Sequence, residues 1–185
     1  MAQRLPTQTP DALHRMDSAT RLTLQKWSSQ GFAPIDGSDP KNQLYLAFYN
    51  RGSNPIWRLL LCTPQQDASA LGTTFGVVAT PNWTFETEVT TSTPFARIRL
   101  TEVNDYFHGY LAWNLACVSV SGIRYPQEWV WRAIEHLQDY AGYFGYIRKR
   151  EVLEPEIRSF LSRLPYQPGQ VATLDFRGPP NEYTV

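Results

Sequence analysis

The sequence predicts an α+β domain in which an antiparallel meander of about six strands is packed on one face by a long C-terminal helix. Three observations support this prediction. Short segments with alternating apolar and polar residues run from position 43 to position 103. An almost uncharged run, Tyr106–Ser121, has the β-branched and aromatic content of a central strand. After Gly122 the apolar residues recur at helical spacing.

The composition is that of a globular protein. The chain has 185 residues, of which 42% are hydrophobic and 18% charged, and its formal net charge is zero. No run of about eighteen apolar residues is present, so no membrane span is predicted. The first fifteen residues lack an apolar signal core, and we therefore predict a cytoplasmic protein. Cys62 and Cys117 both fall in predicted strands and are expected to be buried, reduced thiols.

The two ends of the chain differ in pattern from the segment between them. We predict three parts: a flexible tail over 1–9, a single α+β domain over 10–164 and an extended, proline-rich tail over 165–185. Thr9 and Pro10 suit the start of an amphipathic helix that ends near Gly31. The C-terminal tail contains one strand-like patch, Val171–Phe176.

Five strands are predicted before residue 104. Alternation, β-branched and aromatic residues and flanking turn residues set their bounds. These strands are Gln43–Asn50, Ile56–Thr63, Thr73–Thr80, Trp83–Thr91 and Phe95–Val103. The segment from Pro64 to Gly72 has no strand pattern, and we expect it to cross the surface as a connection.

The fourth and fifth predicted strands can be placed against each other as a hairpin. A short turn between them brings apolar residues together on one face and opposite charges together on the other. The cross-strand pairs would be Phe85–Leu100, Glu88–Arg97 and Glu86–Arg99. A shift of one residue would disrupt both faces, which favours this register.

A second turn, at Asn104–Asp105, would join the fifth strand to Tyr106–Ser121. The polar face of the sheet would then carry two cross-strand rows, Glu86–Arg99–Tyr110 and Thr84–Thr101–His108, with Phe95 beside Asn114. An antiparallel sheet with one face in the core and the other in water is ordinary.

Two helices are predicted after Gly122. The first begins at Pro126, and its apolar stripe comprises Val130, Ile134, Leu137, Ala141 and Phe144. Glu128 and Arg132 would form an i,i+4 ion pair on its outer side. A short last helix would begin at Glu154 and end at Pro165.

The sequence has no phosphate loop, dinucleotide motif, nucleophile elbow or metal-spaced cluster. His14, His108 and His136 lie on different predicted elements, so neither a metal nor another cofactor is predicted. In a regular strand His108 and Cys117 would point to opposite faces, which excludes a catalytic dyad of these two residues.

The predicted polar face carries the residues that we single out for binding: His108, Tyr110, Arg99, Arg97, Glu86 and Asn114. A histidine beside a tyrosine and a carboxylate supports acid–base chemistry when the face is enclosed. The alternative is an open face on which Glu–Arg pairs only hold the register. Arg97 and Arg99 could also pair with phosphates beside aromatic residues. Their predicted glutamate partners and the neutral chain argue against nucleic acid.

These features favour a non-catalytic binding or assembly protein, for example a structural subunit of a viral or phage particle. Interfaces are enriched in aromatic residues and Arg, and this chain has 14% aromatic residues and fourteen Arg against three Lys. A protein partner or self-association is therefore expected. Two alternatives remain open: a small-molecule-binding protein or enzyme with a pocket around His108, and single-stranded nucleic-acid binding through Arg97 and Arg99.

Overall fold

One six-stranded sheet organises the part of the chain that we describe, which is residues 41–52, 54–79, 81–140, 144–164 and 169–176 of a computed structural model. Its elements in chain order are β1 (Lys41–Tyr49), β2 (Ile56–Cys62), α1 (Pro64–Asp67), β3 (Thr73–Ala79), β4 (Trp83–Val89), β5 (Ala96–Asn104), a 3₁₀ turn (Asp105–Phe107), α2 (His108–Ala116), α3 (Pro126–Gln138), α4 (Arg150–Arg163) and β6 (Ala172–Asp175). This is the predicted α+β class. The predicted tail over 1–9 and the predicted helix from Thr9 to Gly31 lie outside the described residues.

The strand order is β4-β3-β2-β1-β5-β6, so the predicted simple meander is wrong. β1 to β4 follow each other as antiparallel neighbours, but β5 returns to the free side of β1. β6 then adds to β5 in parallel. The central strand is β1, which is buried from Leu44 to Phe48, and not the segment Tyr106–Ser121. The sixth strand is the strand-like patch at Val171–Phe176.

The predicted hairpin between the fourth and fifth strands does not form. Phe85 of β4 lies opposite Val77 of β3, and Ile98 of β5 lies opposite Leu46 of β1. Alternation reports which residues of a strand share a face, and it carries no information about which strand is the neighbour. The predicted pairs Phe85–Leu100, Glu88–Arg97 and Glu86–Arg99 are therefore wrong.

A β-bulge in β5 changes which of its residues face the core. Leu44 pairs with Thr101 while the next residue, Tyr45, pairs with Arg99, so Leu100 is the extra residue. Thr101 is consequently turned to the apolar face, where its hydroxyl donates a hydrogen bond to the carbonyl of Phe144. The prediction that Thr101 shares the polar face with Arg99 is wrong for this reason.

The segment predicted as the central strand is helical instead. β5 runs directly into the 3₁₀ turn and α2, so Asn104–Asp105 is not a hairpin turn. Every residue of α2 from Gly109 to Leu115 is buried. A short run that is apolar on all sides has no polar stripe, and periodicity cannot distinguish such a helix from a buried strand. The predicted rows that contain Tyr110 and His108 do not exist.

Three helices, α2, α3 and α4, contribute side chains to the core on the apolar face. A long C-terminal helix and a short last helix were predicted, and α2 is additional to them. α3 begins at Pro126 as predicted and buries Val130, Ile134 and Leu137. Phe144 is also buried, and Ala141 lies outside the described residues. None of the described helices is both long enough and apolar enough to cross a membrane.

One prediction about the surface of α3 and one about the start of α4 need correction. Glu128 accepts a hydrogen bond from the backbone N–H of Arg124, and Arg132 donates to the carbonyls of Ser119 and Ser121, so the predicted Glu128–Arg132 pair is absent. α4 begins four residues before the predicted start and contains Pro155. The first four N–H groups of a helix have no intrahelical acceptor, so a proline there does not break a hydrogen bond. Pro155 is the sixth residue of α4 and lies beyond these positions, so it does not mark the start of the helix.

Candidate functional site

The face of the sheet opposite α2, α3 and α4 carries two clusters of ion pairs, and α1 lies over this face. Thr63 caps α1 by accepting a hydrogen bond from the N–H of Gln66, whose side chain in turn accepts from the N–H of Thr63. Pro64 occupies the first turn, where its missing N–H costs nothing. α1 therefore replaces the featureless connection predicted from Pro64 to Gly72, and its last residue, Asp67, reaches the sheet.

Asp67 joins two arginines and a tyrosine that lie side by side on β5 and β1. The Tyr45 hydroxyl donates to Asp67, and Arg97 Nη1 donates to Asp67 Oδ1 over 2.9 Å. Arg99 Nη2 donates to Asp67 Oδ2 over 3.2 Å and to the Tyr45 oxygen over 2.8 Å. We call these four residues, Tyr45, Asp67, Arg97 and Arg99, the clamp.

The clamp is largely shielded from solvent. Tyr45 is 0% exposed and Arg97 is 8% exposed. The guanidinium carbon of Arg97 lies 4.2 Å from the centre of the Tyr45 ring, which is cation–π distance. A charge so buried is tolerated only when it is paired and hydrogen-bonded, and the contacts with Asp67 meet that requirement.

β6 completes the polar contacts of the two arginines. Arg97 Nε donates to the Thr173 hydroxyl over 3.0 Å, and Arg99 Nη1 donates to Asp175 Oδ2 over 3.3 Å. The clamp by itself contains two positive charges and one carboxylate. Asp175 supplies the second carboxylate, so the charge of the cluster is balanced only when β6 is docked.

Two acidic groups at the clamp have pKa values above their ordinary ones. Burial, and next the hydrogen bond to Asp67, raise the pKa of Tyr45 to about 12, against an opposing contribution from Arg99. Burial likewise raises the pKa of Cys62 to about 11, although Arg97 acts in the other direction. A protonated thiol is a weak nucleophile, and a phenol with this pKa is a poor general base.

A second ionic cluster lies on the same face, on β2 and β4. Arg58 Nη2 lies 3.0 Å from Glu86 Oε2, and Arg58 Nη1 lies 3.4 Å from Glu88 Oε1. The side chain of Arg58 crosses over Gly76, where a Cβ would come within 3.1 Å of its Cγ. We call Arg58, Glu86 and Glu88 the Arg58 cluster. The two glutamates thus pair with Arg58, and not with Arg97 and Arg99 as predicted.

The structure separates the residues predicted to bind a ligand. Arg97 and Arg99 come together in the clamp, while Glu86 belongs to the Arg58 cluster. Tyr110 is buried in the core, with ring centres 6.0 Å from Trp113 and 5.8 Å from Phe144. Asn114 and His108 lie on α2, as Tyr110 does. Asn114 is buried and donates to the carbonyl of Tyr110, and the half-buried His108 is the first residue of the helix.

The predicted binding set lacked four residues of these clusters: Tyr45, Asp67, Arg58 and Glu88, the last of which was predicted only as an ion-pair partner of Arg97. A signal existed for two of them. The segment Thr63–Asp67 has the capping-box pattern of a helix start. The run LYLAFY around Tyr45 is apolar at consecutive positions, as in strands that are buried on both faces. No local pattern indicated that Arg58 would reach two glutamates of another strand.

Among the described residues, no group of three or more His, Cys, Asp or Glu side chains could hold a metal ion. Cys62 and Cys117 are free thiols. Cys62 is buried as expected, but Cys117 is exposed, because it follows α2 and does not lie in a strand. Comparison of the chain with protein-family models, curated proteins and solved structures found no match.

Proposed function

We propose that this protein is a non-catalytic assembly subunit that recognises an extended strand along the outer edge of β5. The observation that carries the proposal is the charge balance of the clamp: two arginines face one internal carboxylate, and the docked strand provides the other. Main-chain pairing gives such a site its affinity, and the side chains of alternate residues give it selectivity.

In β6, the main chain pairs with β5 and alternate side chains contact the clamp. Its backbone pairs with β5 from Ala172 to Asp175, and the N–H of Phe176 donates to the carbonyl of Arg99 over 3.0 Å. Alternate side chains, Thr173 and Asp175, meet the clamp. The Phe176 ring is 6% exposed and lies beneath the guanidinium of Arg148, at 5.0 Å.

The position of β6 in the chain allows it to reach another molecule. Arg51 Nη2 donates to the carbonyl of Leu164 over 2.7 Å and so fixes the end of α4. Seven residues separate Leu164 from Ala172, and when extended they span about 25 Å. We infer that β6 of one copy docks on β5 of a neighbour in the assembled form. Exchange of an identical element needs no new surface, and a head-to-tail exchange that does not close builds an extended structure such as a particle wall.

The chemistry of the clamp supports a binding role over a catalytic one. Its tyrosine and the adjacent Cys62 thiol have pKa values displaced to about 12 and about 11, well away from neutral pH. Its arginines are turned towards carboxylates of the same chain, which disfavours the binding of nucleic-acid phosphates.

A cysteine pair tests strand exchange directly in the full chain. Ala96 and Ala172 lie directly opposite each other on β5 and β6. Adjacent strands are about 4.8 Å apart, within the Cα separation that a disulfide bridges. We would introduce Ala96→Cys and Ala172→Cys together with Cys117→Ser, oxidise at increasing protein concentration, and separate the products without reductant. We expect dimers and larger species that increase with concentration.

Two matched variants give the controls. Moving the second cysteine out of register, as Ala96→Cys with Val171→Cys, should abolish the cross-link, because neighbouring residues of an extended chain point to opposite faces. Adding Asp175→Lys to the in-register pair should weaken it, whereas Glu135→Lys, an equal charge change on an exposed position of α3, should not. Products that are exclusively intramolecular at every concentration would contradict assembly by strand exchange.

A further inference from the structure

β4 forms the edge of the sheet that lies away from the clamp. It pairs with β3 on its inner side, and no other strand in the described part of the chain pairs with it. Directly after the last residue pair of this ladder, the N–H of Thr90 donates to the carbonyl of Gly72 over 2.8 Å. Hydrogen-bonded and non-hydrogen-bonded pairs alternate along an antiparallel ladder, so the N–H and C=O groups of Phe85, Thr87 and Val89 point away from β3. β4 therefore presents a row of main-chain donors and acceptors on its outer side.

The side chains of β4 differ between the two faces of the sheet. Glu86 and Glu88 lie on the face that carries the clamp, whereas Phe85, Thr87 and Val89 lie on the apolar face. Phe85 is buried in the core, but Val89 is 72% exposed, more than any other large hydrophobic residue in the described part of the chain. The last part of this edge is therefore uncovered on its apolar side, and a strand bound there would cover Val89.

The Arg58 cluster has a charge imbalance opposite to that of the clamp. It contains one arginine and two carboxylates, and Arg58 is the only basic residue of the described chain that forms an ion pair with Glu86 or Glu88. One negative charge is therefore left over at the edge strand, on side chains that are at least one-third exposed. Charged residues on an edge strand protect it against unwanted pairing. Two glutamates repel an acidic strand, but they attract a strand with basic residues opposite them.

We propose that the outer edge of β4 binds an extended, basic segment of a partner protein, in which Lys or Arg residues alternate with apolar residues. The main chain of the segment pairs with β4, its basic side chains lie beside Glu86 and Glu88, and its apolar side chains cover Val89. This occupant differs in charge from β6, whose alternate positions carry Thr173 and Asp175. β4 and β6 lie at opposite edges of the sheet, so the proposed site does not rest on the assembly role proposed above.

An NMR titration of the full-length protein with three end-blocked peptides of about seven residues tests the proposal. In the first peptide lysine alternates with valine, and in the second glutamate replaces lysine. The third has the composition of the first, with its lysines and valines in separate blocks. We expect saturable shifts of the backbone amides of Thr87 and Val89 with the first peptide only. Equal binding of the second peptide would overturn the charge preference, and equal binding of the third would overturn strand pairing. No saturation with any peptide would overturn the site and leave the two glutamates as protection of the edge.

Substitution of the glutamates separates recognition at β4 from a general attraction of basic peptides to the protein. Glu88→Gln keeps the size of the side chain and removes its charge, and we expect it to weaken binding of the alternating basic peptide by about twofold to fivefold. Adding Glu86→Gln should bring the loss to about fivefold to tenfold. Glu135→Gln, on an exposed position of α3, should leave binding unchanged. An unchanged affinity in the double variant, or an equal loss in Glu135→Gln, would overturn the proposal.

Discussion

The clamp and the Arg58 cluster lie on the same face of the same sheet and are built from the same chemical groups, yet they differ in burial. The side chains of Glu86 and Glu88 are 39% and 52% exposed, whereas that of Asp67 is 24% exposed and that of Arg97 is 9% exposed. The clamp also bonds to a tyrosine hydroxyl and to β6. Ion pairs open to solvent contribute little to stability, while a buried charge that loses its partner is costly. Burial, rather than residue type, should therefore decide how much each cluster contributes to the free energy of unfolding.

The largest difference between the clusters should appear on removal of the clamp carboxylate. Asp67→Ala leaves the buried Arg97 and its neighbour Arg99 without their shared acceptor. We expect a loss of roughly 2–4 kcal/mol in the free energy of unfolding, towards the lower part of the range for buried pairs because Asp67 keeps some exposure. Urea unfolding followed by circular dichroism measures it. A loss below about 1 kcal/mol would place the clamp in the same class as the surface cluster.

Alkaline pH should weaken the clamp. The pKa of Tyr45 is raised from 10.0 to about 12, so its contribution is fully present below pH 10 and is lost as the pH rises towards 12. The effect at pH 11 should be on the order of 1 kcal/mol. Urea midpoints at pH 8, 10 and 11 would show it. The raised pKa values of Tyr49 and Cys62 add parallel effects, so the informative quantity is the difference between the natural chain and Tyr45→Phe.

At neutral pH, Tyr45→Phe should cost about 1–2 kcal/mol. The substitution keeps the ring beneath Arg97 and removes the hydroxyl that donates to Asp67 and accepts from Arg99. Tyr125→Phe is the matched control, because that tyrosine is 64% exposed and its loss should change stability by less than about 0.5 kcal/mol. Equal unfolding midpoints for the two variants would mean that the Tyr45 hydroxyl stabilises nothing.

The smallest effect should come from the Arg58 cluster. Glu86→Ala removes a half-exposed partner of Arg58 and leaves Glu88 in place, so we expect a change of about 0–1 kcal/mol. The same urea experiment measures it alongside Asp67→Ala. A cost as large as that of Asp67→Ala would show that exposure does not separate the two clusters.

The bounds of the first five strands were predictable from the sequence, and the order of these strands in the sheet was not. Each of the first five strands was predicted to within two residues at both ends, because alternation and turn residues are local signals. The order of the strands depends on pairings between distant segments. β5 leaves its sequence neighbour β4 and pairs with β1, and nothing within either strand indicates this.

The candidate site was predictable only in part, for the same reason. Arg97 and Arg99 were correctly placed side by side on one face of one strand. Their partners come from a strand 54 residues away and from a helix 30 and 32 residues away. The bulge at Leu100 turned Thr101 away from this face, and the helix that begins at His108 removed His108, Tyr110 and Asn114 from it. Both features depend on tertiary packing, which overrides the pattern of a single segment.

Amide hydrogen exchange of β6 most directly tests whether the clamp holds the docked strand. The N–H groups of Ala172 and Phe176 donate to carbonyls of Phe95 and Arg99. Their exchange rates would be compared in the natural chain, in Asp67→Asn and in Glu86→Gln, with the amides of β1 as an internal reference for global unfolding. We predict that Asp67→Asn accelerates exchange at both β6 amides by about tenfold or more while β1 stays protected, and that Glu86→Gln leaves both regions unchanged. Equal protection of β6 in all three proteins would contradict the clamp as the element that holds the strand.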